Sequence, residues 1–263
     1  MLNNYIVFYD MKIKEIEVFI KNETKNTVSI THDFGHLKRT ASGAKWFAKI
    51  LGGGKKEQRL AYIAGLFHDI VRPVSSKICH AKASAKKSKK ILKKFKINKA
   101  DLNKVILTIR DHSERVKWES PLHASVFLAD KILEQMGAFV VFRRCMYVGE
   151  CVDYKKTKAK EAIIDQFRKR LKKFNPDNFP RKFSKILNYQ YAWPKKFLRD
   201  FENKKTWVVE VAESFYRYGE KKISPEMAIE QFKPKYQEGK KYKKEALEYI
   251  KGKKFKFFNG LIK

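Results

Sequence analysis

Two carboxylates in this sequence stand where a carboxylate is hard to keep. Asp69 falls at the end of the apolar run LAYIAGLFHDIV, and Asp130 lies inside SVFLADKIL. An ionised acid withdrawn from water needs a cation or several hydrogen-bond donors to offset its desolvation. Histidines accompany both acids: His68 directly precedes Asp69, and His36 stands in HDFGH. One divalent ion, with His36 and His68 as nitrogen ligands and Asp69 and Asp130 as oxygen ligands, satisfies both acids and leaves positions open for water and substrate. The alternative is a structural network in which each buried Asp pairs with an Arg or a His. The first arrangement has the makings of metal-assisted hydrolysis.

Strand signals are few, so packed helices must bring these residues together. The spacing of Ile13, Ile16 and Ile20 predicts a helix over 12–22, with the preceding YIVFY as a short strand or extended lead-in. Thr31 or Asp33 can cap a helix whose Leu37, Ala41, Ala44, Ala48 and Leu51 share a face until Gly52-Gly53-Gly54 stops it, placing His36 in the first turn. A helix from about Glu57 to Val71 ends at Arg72-Pro73 and carries His68 and Asp69 in its last turn. A lysine-rich helix runs from His80 to Phe95. Asp101 can cap another, which leads to Arg110-Asp111-His112-Ser113. Pro121 starts a helix that holds Asp130 and ends at Gly137. Beyond it come a basic amphipathic helix over 157–173, a break from Asn175 to Pro180, and one long helix over 195–218.

The expected fold is therefore all-α: a helical domain over 1–218, with a motif core at 30–145 and supporting helices at 157–218. A basic extension follows over 219–263, where the apolar pattern weakens into KGKKFKFFNGLIK. A chain of 263 residues that is 43% apolar can bury a substantial core. It has no apolar run of the roughly 18 residues that a membrane span needs and no signal-peptide succession, so a soluble cytoplasmic protein without membrane contact is expected. Cys79, Cys145 and Cys151 are odd in number and lack a C-x-x-C pair, which argues against a disulfide framework or a thiolate zinc site. Sixty Lys and Arg against 28 Asp and Glu give a net charge of +32. Such a surface attracts anions, nucleic acid among them, yet the lysines are spread through nearly every segment and equally suit exposed helix faces.

The order His36…His68-Asp69…Asp130 resembles that of the HD superfamily of helical metal-dependent phosphohydrolases. The flanking text carries the resemblance further: HDFGHLKRT, LAYIAGLFHDIVRP, HAKASAKKSKKIL, IRDHS and LADKILEQMGAFVVFRR follow the order and spacing of its compact bacterial and archaeal branch. The match is clear over about 12–150 and loose over 150–218. It implies an HD-type helical bundle with the metal between central helices. The implied cofactor is a divalent ion (Mn, Mg, Co, Ni, Fe or Zn), and the implied substrate is a phosphorylated compound such as a nucleotide, attacked by an activated water.

The resemblance also assigns roles. His68, Asp69, Asp130 and His112 are the catalytic set. Arg72, Lys77 and Arg143 are expected to meet phosphate oxygens, with Arg39 a weaker candidate of the same kind. His80 and His112 together would make a second metal position. His32 is read as a partner behind the ligands or a proton shuttle, and His123 as structural. Val71 replaces a glycine common in the branch, and Ile132-Leu133 fall where an acid is usual, which makes the substrate pocket less legible. Two alternatives stand beside nucleotide hydrolysis: a nuclease or cyclic-nucleotide phosphodiesterase, and a basic nucleic-acid-binding protein whose HD site is structural.

Overall fold

The computed structural model describes residues 2–25, 29–72, 79–114, 116–151, 154 and 158–262. Among them the fold is all-α, with thirteen α-helices and no strand. They fall into two units, one built from residues 1–27 and 32–130, the other from 28–31 and 131–263.

The first unit holds α1 (Leu2–Glu23), α2 (Phe34–Ile50), α3 (Lys55–Phe67), α4 (His80–Lys94), α5 (Lys99–Asp111) and α6 (Pro121–Leu128). The YIVFY segment lies inside α1 instead of forming a strand. Asp33 caps α2 by accepting the His36 N–H at 3.1 Å, and Gly52, at φ 90°, lets the chain turn out of the helix. Asn98, not Asp101, caps α5: its side-chain oxygen accepts the Asp101 N–H at 2.9 Å, which leaves Asp101 in the first turn. Helix α2 packs on α3 and α6, and α3 also touches α5 and α6. The approach of α2 to α3 depends on Gly65, where a Cβ would come within 2.5 Å of the Ala41 Cα. Ser120 caps α6 by accepting the His123 N–H, with Pro121 at the first helical position. The helix then widens into a π-helical turn over Ala129–Leu133, which carries Asp130.

The second unit is arranged around α7 (Ala138–Glu150), against which α8 (Ala159–Lys173), α9 (Ser184–Glu202), α10 (Thr206–Glu220), α11 (Pro225–Gln231) and α12 (Gln237–Ile250) all pack; α13 (Lys254–Ile262) lies on α9. Helices α7 and α10 cross at two glycines. A Cβ on Gly149 would meet the Tyr216 carbonyl at 2.1 Å, and one on Gly219 the Met146 carbonyl at 2.1 Å. The expected long helix over 195–218 is two helices. Lys204 turns to φ 54° between them, while Asp200 accepts the Lys205 N–H through its carbonyl and the Trp207 indole N–H through its carboxylate. Residues beyond Gly219, expected as an extension, bury Tyr242, Ala246 and Phe258 within this unit. The division at 218/219 is thus not where the fold divides, because α11–α13 supply part of the second unit's core.

Candidate metal centre

Six side chains of the first unit converge. His36 comes from the first turn of α2, and His68 with Asp69 from the two residues after α3. His80 opens α4, His112 follows α5, and Asp130 sits in the π turn. His36, His68, Asp69, His112 and Asp130 are all buried, with between 0% and 6% of their surface exposed. Asp69 is the hub. Its Oδ2 lies 3.5 Å from His68 Nε2 and 3.7 Å from His36 Nε2; its Oδ1 lies 3.5 Å from His112 Nε2 and 3.6 Å from His80 Nε2. His36 Nε2 is also 3.9 Å from Asp130 Oδ1.

The protonation of two histidines follows from their other nitrogen. His68 Nδ1 is 2.8 Å from the Gly65 carbonyl, and His112 Nδ1 is 2.7 Å from the Ile109 carbonyl. A carbonyl only accepts, so each Nδ1 carries a proton, and in the neutral ring Nε2 is left with a lone pair. Both carbonyls belong to the last turn of the preceding helix, three residues back. Burial drives the His68 pKa down to about 3, against the opposing pull of Asp69, so this ring is neutral at ordinary pH. Burial alone would raise the Asp69 carboxyl. With the imidazoles neutral, Arg72, 3.1 Å from Oδ2, is the neighbour whose charge pulls the group the other way.

Lone pairs of two imidazoles therefore face an ionised carboxylate, at separations too long for hydrogen bonds. His68 Nε2, His112 Nε2 and Asp69 Oδ1 are buried without a hydrogen-bond partner among the described residues. Buried acceptors facing one another are costly unless a cation lies between them. Two ligands at roughly 2.1 Å from one ion stand about 3 to 4.2 Å apart, depending on the angle between them, and the distances here fall in that range. Two sets of three ligand atoms gather closely, His36–His68–Asp130 and His68–Asp69–His112, each within 4.8 Å. The donor set of imidazoles and carboxylates fits a divalent transition ion.

Arg72 and His32 border the cluster. Arg72 Nη1 is 3.1 Å from Asp69 Oδ2, and its Nη2 donates to His32 Nε2 at 2.6 Å. His32 also meets the His36 ring edge to face, with centroids 5.4 Å apart. The Arg72–His32 bond has no signal in the sequence, since the two residues are forty positions apart. His123 lies outside the cluster: its Nδ1 accepts the Glu119 N–H and its Nε2 pairs with Asp111 Oδ2 at 3.1 Å. Arg39 is buried on α2, and Lys77 lies outside the described residues.

Arg143 differs from its expected role at phosphate. It is fully buried in the second unit, where Nε donates to the Thr31 carbonyl at 2.9 Å and Nη1 donates to the Glu134 carbonyl at 2.9 Å and carboxylate at 3.2 Å. Its charge serves Glu134, an acid missed in the sequence, whose other oxygen accepts the Tyr249 hydroxyl.

No helix among the described residues is long and apolar enough to cross a membrane. No curated protein and no solved structure matches the chain. A family model described as the HD domain matches residues 33–134, a stretch that includes every residue of the cluster. Over that stretch of 102 residues, then, the chain is similar to the HD-domain family.

Proposed function

We propose that the cluster holds a divalent ion and that the protein hydrolyses a phosphate ester or anhydride, most simply that of a nucleotide. The observation that carries this reading is the buried Asp69 carboxylate facing lone-pair nitrogens of His68 and His112. A divalent ion held there would supply Lewis-acid charge and make water a nucleophile near neutral pH. His36, His68, Asp69 and Asp130 are the ligands of one position. His112 and His80, sharing Asp69 from its other oxygen, are those of a second. Among Mn, Mg, Co, Ni, Fe and Zn, the imidazole-rich set favours the transition metals.

The chain's other groups fit the same chemistry. Asp69 and Asp130 supply carboxylate oxygens able to take a proton from attacking water. Arg72 keeps about a third of its side-chain surface exposed while anchored on Asp69 and His32, so its remaining N–H groups can grip a phosphate oxygen. Lys77 is a second candidate for that grip. The test is release of phosphate, pyrophosphate or nucleoside from a nucleotide panel by purified protein supplied with Mn, Co, Ni or Mg. His68→Ala and Asp69→Ala should abolish it, and activity surviving both changes would sink the assignment.

A further inference from the structure

The charge excess of the chain is not evenly distributed around the cluster. Residues 70–100 contain no Asp or Glu but carry Arg72 and ten lysines. Within this stretch α4 buries Ala81, Ser84, Ala85, Ser88, Ile91 and Leu92 on one side. Lys82, Lys86, Lys89 and Lys93 recur at i, i+4, i+7 and i+11, which places them within about 60° of one another around the helix. All four are exposed.

Some basic residues elsewhere meet acids: Lys38 pairs with Glu17, Lys56 with Asp101, Arg168 with Glu202 and Lys254 with Glu245. Among the described residues, Lys87, off the ridge, is the lysine of α4 that pairs with an acid, Glu23. The helix that carries the ridge begins at His80, whose Nε2 is 3.6 Å from Asp69 Oδ1. The four lysines thus extend about 16 Å along α4 from a point about half a turn beyond His80.

We propose that the α4 lysine ridge binds the phosphate backbone of a nucleic-acid strand whose end or bend enters the metal cluster. A row of cations this long exceeds what the phosphates of one nucleotide can use, whereas a strand presents a phosphate about every 3.4 Å along a duplex axis. The ridge offers ammonium groups and no aromatic ring, so it grips backbone and does not read bases. Delivery of the strand to the cluster rests on the hydrolase reading; binding along the ridge does not.

The experiment compares the full chain with Lys82→Gln/Lys86→Gln/Lys89→Gln/Lys93→Gln and with a control, Lys240→Gln/Lys244→Gln/Lys251→Gln/Lys253→Gln, which removes the same charge from exposed positions of the second unit. Affinity for labelled 20-nucleotide single-stranded RNA, single-stranded DNA and duplex DNA is read by anisotropy over a salt series. Circular dichroism and metal content verify that each variant is folded. The ridge variant should lose at least tenfold in affinity for one or more of these probes. Its log-affinity against log-salt slope on a single strand should flatten by roughly 3, as expected for four lost phosphate contacts. The control should change less than twofold.

Equal weakening by both variants, no weakening by the ridge variant, or tighter binding of the wild-type chain to phosphatidylserine vesicles or inorganic polyphosphate than to any oligonucleotide overturns the proposal. Ridge-dependent binding without hydrolysis of any phosphate compound would remove the hydrolase reading and leave the ridge standing. Nucleotide hydrolysis with a ridge-independent 20-mer would do the reverse.

Discussion

Arg72 donates to His32 Nε2 at 2.6 Å while its other terminal nitrogen lies 3.1 Å from Asp69 Oδ2. A guanidinium only donates, so His32 must accept, which fixes it as a neutral ring with its proton on Nδ1. The planar fork spans both partners at once, and a lysine cannot. Arg72→Lys is therefore expected to keep the charge but lose the bridge. It should lower kcat/KM about 10- to 100-fold with metal content unchanged, and His32→Ala should do so to a smaller extent. Steady-state kinetics beside elemental analysis decide the matter: metal lost in parallel with activity would make Arg72 a support of the ligands and not a phosphate contact.

Asp69 gives a test of the cation that needs no substrate. In the metal-free protein its carboxylate pairs with Arg72 through Oδ2 but faces lone pairs at His68 and His112, whereas an amide could donate to one of those rings while its oxygen still accepts from Arg72. Asp69→Asn should melt at the same temperature as the chelator-treated wild type or above it. Wild type should gain about 2.7 kcal/mol from an ion at a hundred times its dissociation constant, on the order of 5–10 °C for a chain of this length. The variant should gain little. Calorimetry with and without Mn or Ni measures both, and a wild-type melting point indifferent to every divalent ion would remove the ion from the reading.

How much of this was legible beforehand depends on whether side-chain pattern or backbone geometry carried the information. His36, His68, Asp69 and Asp130 were visible because acids inside apolar helices pose an electrostatic problem that neighbouring histidines can solve. The carbonyls of Gly65 and Ile109 that set the imidazole tautomers were not visible, since every residue has a carbonyl and only the helix end aims it. The π turn at Asp130 and the break at Lys204 leave no composition signal either; neither contains Gly or Pro. Arg143 misled for a related reason. Glu134 and Arg143 lie on either side of Gly137, which turns into α7 at a φ of 91°, and the sequence alone does not show that pairing.

The Glu134–Arg143 pair is fully buried on both sides, so removing one partner strands the other charge. Arg143→Ala should cost about 3–5 kcal/mol, read as a lower denaturation midpoint. In whatever fraction remains folded, KM for a nucleotide should be unchanged. A raised KM with unchanged stability would return Arg143 to the phosphate grip that its place in the motif suggested.

Gly65 joins packing to the metal centre within a single residue. Its missing Cβ lets α3 lie against Ala41 of α2, which sets the distance between the elements carrying His68 and His36, and its carbonyl orients the His68 ring. Gly65→Ala forces a methyl to within 2.5 Å of backbone that cannot move aside as a side chain would. The expected cost is about 1–3 kcal/mol or more, together with weaker metal binding because His36 and His68 separate. Gly54→Ala is the matched control: that glycine opens α3 at φ −66° and has open space where a Cβ would stand. Isothermal titration with Mn or Ni on both variants should show reduced affinity in Gly65→Ala and wild-type affinity in Gly54→Ala. Equal affinities would mean that the ligands do not depend on the α2–α3 contact for their spacing.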